Sequence, residues 1–408
     1  MSTILLVIVL FLVIELGLEI LVESLNLKTL DQPLPKEVAD VYDPKEYKKS
    51  QAYSKTNTYF GLIQAAVSLA VLFLALSCNI FETIDLYLRM KISDESLRGV
   101  AYLLILGGLL QIISLPFSLY KTFVIEERFG FNKTTVKTFM FDLVKGSVLG
   151  VMIASPLLYA ILWFFQAFGT KAWMIAWLTM MGFQCVMMLV VPIVIMPLFN
   201  RFEPIKEKGI KDCIMAYAKK VNFPLKEVFQ MDGSKRSKKS NAFFTGIGKF
   251  KRVVLFDTLI EQQSPEALRV IVAHEVGHYK KKHIYKMMLI TALSVGLMLY
   301  LFGLAIETAY LSQAFGFSQH SIYASLLVFS FLYQPISTVT SMMTNALSRK
   351  HEYEADAFAA ETTGDGKILI EALKRLSKDN LSHLTPHPLK VFLDYSHPTL
   401  IQRIKALN

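Results

Sequence analysis

Apolar residues in this chain gather into long blocks separated by shorter polar stretches. A bilayer core takes roughly 20 helical residues to cross, and blocks of that order run over about 4–22, 58–80, 100–123, 147–168, 172–197, 286–309 and 321–343. The pattern predicts seven transmembrane helices. The first block is not read as a cleavable signal peptide, because no Lys or Arg precedes it and Glu15 and Glu19 interrupt its apolar run. Between the blocks, two polar regions are long enough to fold, about 198–285 and 344–408. The chain therefore divides into a membrane region of about five helices (1–197), a first polar part (198–285), two further spans (286–343) and a second polar part (344–408). The first polar part predicts a helix near 205–221, strands at 241–245 and 252–256 joined through Gly246 and Gly248, and then a helix opened by Ser264 and Pro265. The second predicts a helix through 348–361 and another after His397-Pro398.

Composition agrees with this division: 53% of the 408 residues are hydrophobic and 29 are phenylalanine, too apolar for an ordinary soluble domain. Charge orients the spans, since basic residues accumulate in loops that stay cytoplasmic. Lys28, Lys36, Lys45, Lys48, Lys49 and Lys55 crowd the first loop, and Arg128, Lys133, Lys137 and Lys145 the third, whereas the fourth has only Lys171 and the sixth no basic residue. The alternation places the N-terminus outside, and the fifth loop and C-terminal tail in the cytoplasm. The net charge of +10 then follows from topology and attraction to anionic lipid, and no nucleic-acid module accompanies it. Cys78, Cys185 and Cys213 are too scattered for a metal cluster or a disulfide framework, and packing is their expected role. The C-terminus, Ala406-Leu407-Asn408, has no retrieval signal, which favours a bacterial plasma (inner) membrane over the endoplasmic reticulum.

Chemistry enters at His274-Glu275-Val276-Gly277-His278. Residues at i and i+4 share a helix face, so His274 and His278 can offer two imidazole nitrogens to one metal ion, with Glu275 positioned to take a proton from metal-bound water. A catalytic zinc site usually has a third protein ligand. A metzincin would place glycine where Lys281 stands and histidine where Ile284 stands, so the third ligand is expected to be a glutamate from elsewhere. Glu352 and Asp356 lie i, i+4 on one predicted face. Glu352 would bind zinc and Asp356 would hydrogen-bond the outer ring nitrogen of a liganding histidine; the competing reading is a solvated acidic face opposite Arg349 and Lys350. His351 and Glu354 point away from Glu352 on a straight helix and cannot share its ion.

With these segments in hand, the sequence resembles the type I CAAX prenyl proteases, integral-membrane zinc metalloendopeptidases of the gluzincin type that trim prenylated C-terminal tails. The resemblance rests on Pro192-Ile193-Val194-Ile195-Met196-Pro197-Leu198-Phe199-Asn200, Ser240-Asn241-Ala242-Phe243-Phe244-Thr245-Gly246, the His274–His278 motif, the segment from Arg349 to Asp356, and Ser396-His397-Pro398 with Arg403. It implies a mainly α fold: about seven long transmembrane helices around a water-filled chamber, capped by a small zinc protease domain with a short β-hairpin. It also implies one Zn2+ per chain at His274, His278 and Glu352, with Glu275 as general base and acid. Asn241, Ala242 and Phe243 would hold an extended substrate, while His397 and Arg403 would stabilise the oxyanion. Glu15, Glu19, Gln64 and Gln166, at membrane depth, should then face protein or water.

The expected activity is zinc-dependent hydrolysis of peptide bonds in the C-terminal tails of prenylated or other membrane-associated proteins, with the lipid bilayer as the second partner. Two other readings stay open at this point. One is a membrane quality-control protease of the HtpX type, with the same zinc constellation and fewer spans. The other is a non-catalytic membrane scaffold or channel with structural zinc, against which Glu275 argues because a structural site has no need of it.

Overall fold

The computed structural model describes residues 2–245, 251–306 and 308–408. The predicted turn glycines Gly246 and Gly248 lie outside them. Among the described residues, six helical stretches are long and apolar enough to cross a membrane, and one of these, Val136–Phe199, covers 64 residues. That stretch is a hairpin. It turns at Gly169–Lys171 and brings its ends together: Lys145 Nζ donates to Leu198 O at 3.0 Å. Seven passages result, in α1 (Thr3–Thr29), α2 (Pro44–Ser77), α4 (Glu95–Tyr120), α5 (Val136–Phe168), α6 (Ala172–Val190), α11 (His283–Ala305) and α13 (Ile322–Thr363), with the short α3 (Ile80–Arg89) following α2 and α12 (Ala309–Gln313) preceding α13.

Local sequence sets several starts. Asp43 accepts from Lys45 N and Glu46 N at 2.8 Å, Glu46 reaches back to the Asp43 amide, and Pro44 takes the first helical position, so α2 begins well before its apolar block. Asp94 and Thr135 cap α4 and α5 with a side-chain oxygen that accepts from Leu97 N and Thr138 N. α13 runs far past its apolar block, through the predicted 348–361 helix, until Gly364 ends it in the left-handed conformation (φ 75°). The sequence reading made two helices of this one, because it took the end of the apolar run for the end of the element.

The fully buried residues of the spans gather at their ends. At one end Phe81, Tyr102, Phe165, Phe302 and Tyr323 belong to one buried cluster. Here the even-numbered loops meet, with Glu82 Oε1 accepting from Ser318 N at 3.1 Å. At the other end the odd-numbered loops and the C-terminal tail share a second core, which includes Val38, Phe131, Val228, Leu268 and Leu369. Between the ends the helices bury almost nothing against one another: Ser50 is the one buried residue of α2, and Leu162 with Phe165 those of α5. Helices joined at both ends, with few side chains fully buried between them, surround a chamber. Two of the polar groups expected along the spans have protein partners: Ser96 Oγ donates to Gln166 Oε1 at 2.8 Å, and Gln334 Nε2 lies 3.4 Å from Glu15 Oε1.

The second core is the protease domain. After α7 (Met196–Phe199) come β1 (Phe202–Pro204), α8 (Lys208–Lys220), β2 (Leu225–Met231), β3 (Ala242–Thr245), β4 (Lys251–Phe256), α9 (Asp257–Gln262) and α10 (Pro265–Lys280). The chain then crosses twice through α11 and α13 before α14 (Gly366–Asp379), α15 (Pro388–Asp394) and α16 (Leu400–Leu407) complete the domain. The strands form one sheet in the order β1-β2-β4-β3, with β2 and β4 parallel and the outer pairs antiparallel. The expected hairpin is the β3–β4 half of this sheet. Arg236 ties the domain to the membrane region: it donates to both Asp142 oxygens at 2.8 and 3.0 Å and to Phe199 O at 2.8 Å.

Candidate metal centre and active site

α10 opens on Ser264, whose Oγ accepts from Ala267 N at 3.2 Å, with Pro265 in the first turn and Lys280 in the last. Leu268, Val272, Ala273 and Val276 bury the helix. It packs directly against α13 at Gly277, where a Cβ would stand 3.0 Å from Ala355 Cα and 3.1 Å from Ala355 O. A side-chain-free position therefore lets one turn of α10 touch one turn of α13 through backbone.

That contact brings His274 and His278 against Glu352. The two Nε2 atoms are 3.0 Å apart, His274 Nε2 lies 3.4 Å from Glu352 Oε2, and His278 Nε2 lies 3.3 Å from Glu352 Oε1. Two imidazoles and a carboxylate form a group able to hold a metal ion. The spacing fits one: donors bound tetrahedrally at about 2.0–2.1 Å stand about 3.3 Å from each other.

Asp356, one turn beyond Glu352, is buried, and its Oδ1 accepts from His274 Nδ1–H at 2.8 Å. A carboxylate can only accept, so His274 carries a proton on Nδ1, and Nε2 is the nitrogen turned toward His278 and Glu352, able to bind a metal once its own proton is displaced. Arg403 grips the same carboxylate through Nε at 2.7 Å and Nη2 at 2.6 Å, while its Nη1 stands 3.7 Å from Glu352 Oε2. Thr399 and Gln402 cap α16 reciprocally, and Leu400 and Ile404 bury its inner face, which holds Arg403 over the site. His397 is largely exposed, with Nε2 3.5 Å from Glu352 Oε1. Residues distant in sequence thus converge: 274–278, 352–356 and 397–403.

Glu275 is half-buried, and removal from water pushes its carboxyl pKa up, against the pull of His274 and His278. For His274, burial disfavours the charged form, but hydrogen bonds to Asp356 and Glu352 outweigh it and hold the metal-free imidazole up at about 9.

Asn241, Ala242 and Phe243 lie at and beside the outer strand. β3 pairs with β4 on one edge and stands at the end of the sheet, leaving its other edge unpaired among the described residues. Asn241 Oδ1 accepts from Ala242 N at 2.9 Å, and the strand's Phe244 ring meets Tyr279 of α10 edge-on at 6.4 Å. None of the three has a described hydrogen bond to the metal-binding group. Sequence reading also passed over Gly277, although a glycine inside a helix is a signal of close packing. It passed over His283 too, whose Nδ1 lies 3.0 Å from His278 Nδ1.

Membrane passages around a chamber, closed at one end by a domain with a His-His-Glu group and a glutamate beside it, define a membrane metallopeptidase. The family models agree: residues 23–201 match "CAAX prenyl protease N-terminal, five membrane helices", and residues 204–408 match "Peptidase family M48". The chain belongs to peptidase family M48. It is 34% identical to the CAAX prenyl protease 1 homolog of Arabidopsis thaliana over 98% of this chain and 96% of the relative. It is 32% identical to CAAX prenyl protease 1 of Saccharomyces cerevisiae, over 93% of this chain and 90% of that one. Its structure superposes on the crystal structure of S. mikatae Ste24p with a TM-score of 0.93 at 32% identity, covering 100% of this chain and 99% of the other.

Proposed function

We propose that this chain is a zinc-dependent endopeptidase that processes the C-terminal tails of prenylated or other membrane-associated proteins. The observation that carries the reading is the close set of His274, His278 and Glu352 donors beside Glu275. His274, His278 and Glu352 would hold one Zn2+, which supplies a Lewis acid for the scissile carbonyl and lowers the pKa of a bound water. Glu275 takes the proton of the attacking water and delivers it to the leaving amine, and a carboxyl with a raised pKa suits both halves of that task. Asp356 fixes the His274 tautomer. Arg403 and His397, the cation and imidazole nearest Glu352 from the tail, face the charge that develops on the carbonyl oxygen. The free edge of β3, with Asn241, Ala242 and Phe243, receives the substrate as an added strand.

The names of the similar proteins support a CAAX-type substrate, and seven passages around a chamber favour it over an HtpX-type protease. The odd loops and the tail share one end of the molecule, which with their basic residues supports a cytoplasmic catalytic side. The relatives from a plant and a yeast favour the endoplasmic reticulum over the bacterial plasma membrane expected from the tail.

The test is cleavage of a farnesylated C-terminal peptide and its unprenylated counterpart by detergent-purified protein, with and without a zinc chelator. Chelator-sensitive cutting of the farnesylated peptide is expected, and Glu275→Gln should retain zinc yet lose cleavage. Cutting of both peptides points to a broader membrane protease, cutting of neither by zinc-loaded protein to the scaffold reading, and activity in Glu275→Gln overturns its assignment.

A further inference from the structure

The two histidines of the metal-binding group are held differently. His274 meets a carboxylate directly, through Asp356. His278 meets another imidazole: its Nδ1 lies 3.0 Å from His283 Nδ1, and the far nitrogen of that ring, His283 Nε2, lies 2.9 Å from Glu354 Oε2. The direction of each hydrogen bond follows from the end of this chain. Glu354 can only accept, so His283 carries its proton on Nε2. The His283 Nδ1 of a neutral ring is then a bare acceptor, and the proton in the 3.0 Å contact belongs to His278 Nδ1. His278 is left with an unprotonated Nε2, the atom turned toward His274 and Glu352.

The surroundings hold His283 in that position. It is buried at 3% exposure, and the ring of His351, equally buried, stacks on it at 4.0 Å with an 11° tilt. Lys286 Nζ and Lys350 Nζ stand 3.7 and 4.0 Å from the Glu354 carboxylate and help keep it beside the His283 ring. His283 also begins α11, after Lys282 adopts the left-handed conformation (φ 58°), so the turn between α10 and α11 aims its ring back at His278. One turn and a half of α13 then supplies the ligand Glu352 and the anchors for both histidines, Asp356 for His274 and Glu354 for His278.

We propose that His283 and Glu354 are positioning residues that fix the tautomer and orientation of His278, a relay separate from the Asp356 anchor of His274. The inference rests on the reading of His274, His278 and Glu352 as the metal ligands. It explains two residues that helix geometry excludes as ligands: Glu354 reaches the site through His283, and His351 supports the ring between them.

Zinc affinity, measured on the full-length detergent-purified protein by competition with a chromogenic chelator, tests the relay, with the visible absorption of the Co2+-loaded protein reporting ligand geometry. His283→Phe keeps the ring stacked on His351 and removes both nitrogens; it should weaken zinc binding by about 10- to 100-fold, the usual effect of losing such a partner. Glu354→Ala, at a side chain 30% exposed and so less exposed to misfolding, should weaken it by about 10-fold. His283→Asn restores an acceptor near the Nδ1 position and should bind more tightly than His283→Phe, which lost packing alone would not produce. Wild-type affinity and an unchanged Co2+ spectrum in both Glu354→Ala and His283→Phe overturn the relay. If His274→Ala also binds zinc as tightly as wild type, the ligand assignment itself has failed.

Discussion

Replacing Gly277 by alanine should damage this protein, although the same change in a helix interior ordinarily stabilises. Alanine is favoured over glycine by about 0.8–1.0 kcal/mol in a helix. At Gly277 the added Cβ meets Ala355 Cα at 3.0 Å, Ala355 O at 3.1 Å and Ala355 Cβ at 3.3 Å. Carbon atoms are at their optimal separation only at about 3.5–4.0 Å, so α10 and α13 must part by about 0.5 Å, and backbone atoms cannot swing aside as a flexible side chain would. Overpacking of this kind costs about 1–3 kcal/mol, which exceeds the propensity gain and leaves a net loss of up to about 2 kcal/mol. The larger effect is on the metal centre, because His274 and His278 stand on one helix and Glu352 on the other. A shift of about 0.5 Å is more than twice the tolerance of about 0.2 Å in metal–ligand distance. Zinc affinity should fall by an order of magnitude or more, measured by chelator competition together with thermal melting in the presence and absence of zinc. Gly209→Ala is the matched control: among the described residues nothing lies within 4 Å of its Cβ position, and it should melt at the wild-type temperature or above. A Gly277→Ala protein that binds zinc as tightly as wild type and melts no lower would refute the close-contact argument.

Zinc uptake should release a proton at neutral pH. The metal-free His274 pKa of about 9 lies above its ordinary value, so below about pH 9 zinc must displace a proton from it, and affinity should weaken as pH falls. The stabilisation that this extra proton gives the metal-free fold is complete below about pH 6.5 and disappears as pH rises through about 9. Calorimetric titration at pH 7.5 in buffers of different ionisation enthalpy should show the release, and buffer-independent heats would contradict it. Arg236→Ala removes the charged hydrogen bonds from the protease domain to Asp142 and Phe199 O and should destabilise by about 1–3 kcal/mol. Its zinc affinity should stay at the wild-type level, and a melting curve unchanged from wild type would show that the anchor carries no stability.

The parts of this molecule legible in sequence are those encoded by local patterns. Apolar blocks marked every membrane passage, since a bilayer demands a long uninterrupted run, and the i, i+4 spacing of His274 with His278 and of Glu352 with Asp356 is readable on any helix. What stayed hidden depends on contacts across the chain. β2 has a Lys-Glu pair and no strict alternation, and β1 is three residues ending in proline, so neither carries a strand signal before the sheet forms. Arg236 lies in a run of basic residues that reads as solvated surface until Asp142 and Phe199 are placed beside it. His283 has no motif spacing of its own. Its meaning comes from the left-handed turn at Lys282 and from Glu354, 71 residues further on.

The interruption of the protease domain by two membrane passages has a mechanical consequence. His274 and His278 lie on the helix just before α11 enters its apolar run, and Glu352 lies on the same unbroken helix as the last passage. A helix rises about 1.5 Å per residue, so Glu352 stands about 13 Å beyond residue 343, where the apolar block ends. No flexible linker intervenes on α13. His274, His278 and Glu352 are therefore held at a fixed height above the end of the apolar block, and under the proposed function a peptide reaching them from the membrane side would extend across that height before its bond meets Glu275. A folded independent domain on a tether could cut the same bond but would impose no such distance. Under the proposed function, a tail anchored in the membrane would be cut a set number of residues from its anchor, and the continuity of α13 between residue 343 and Glu352 would set that number.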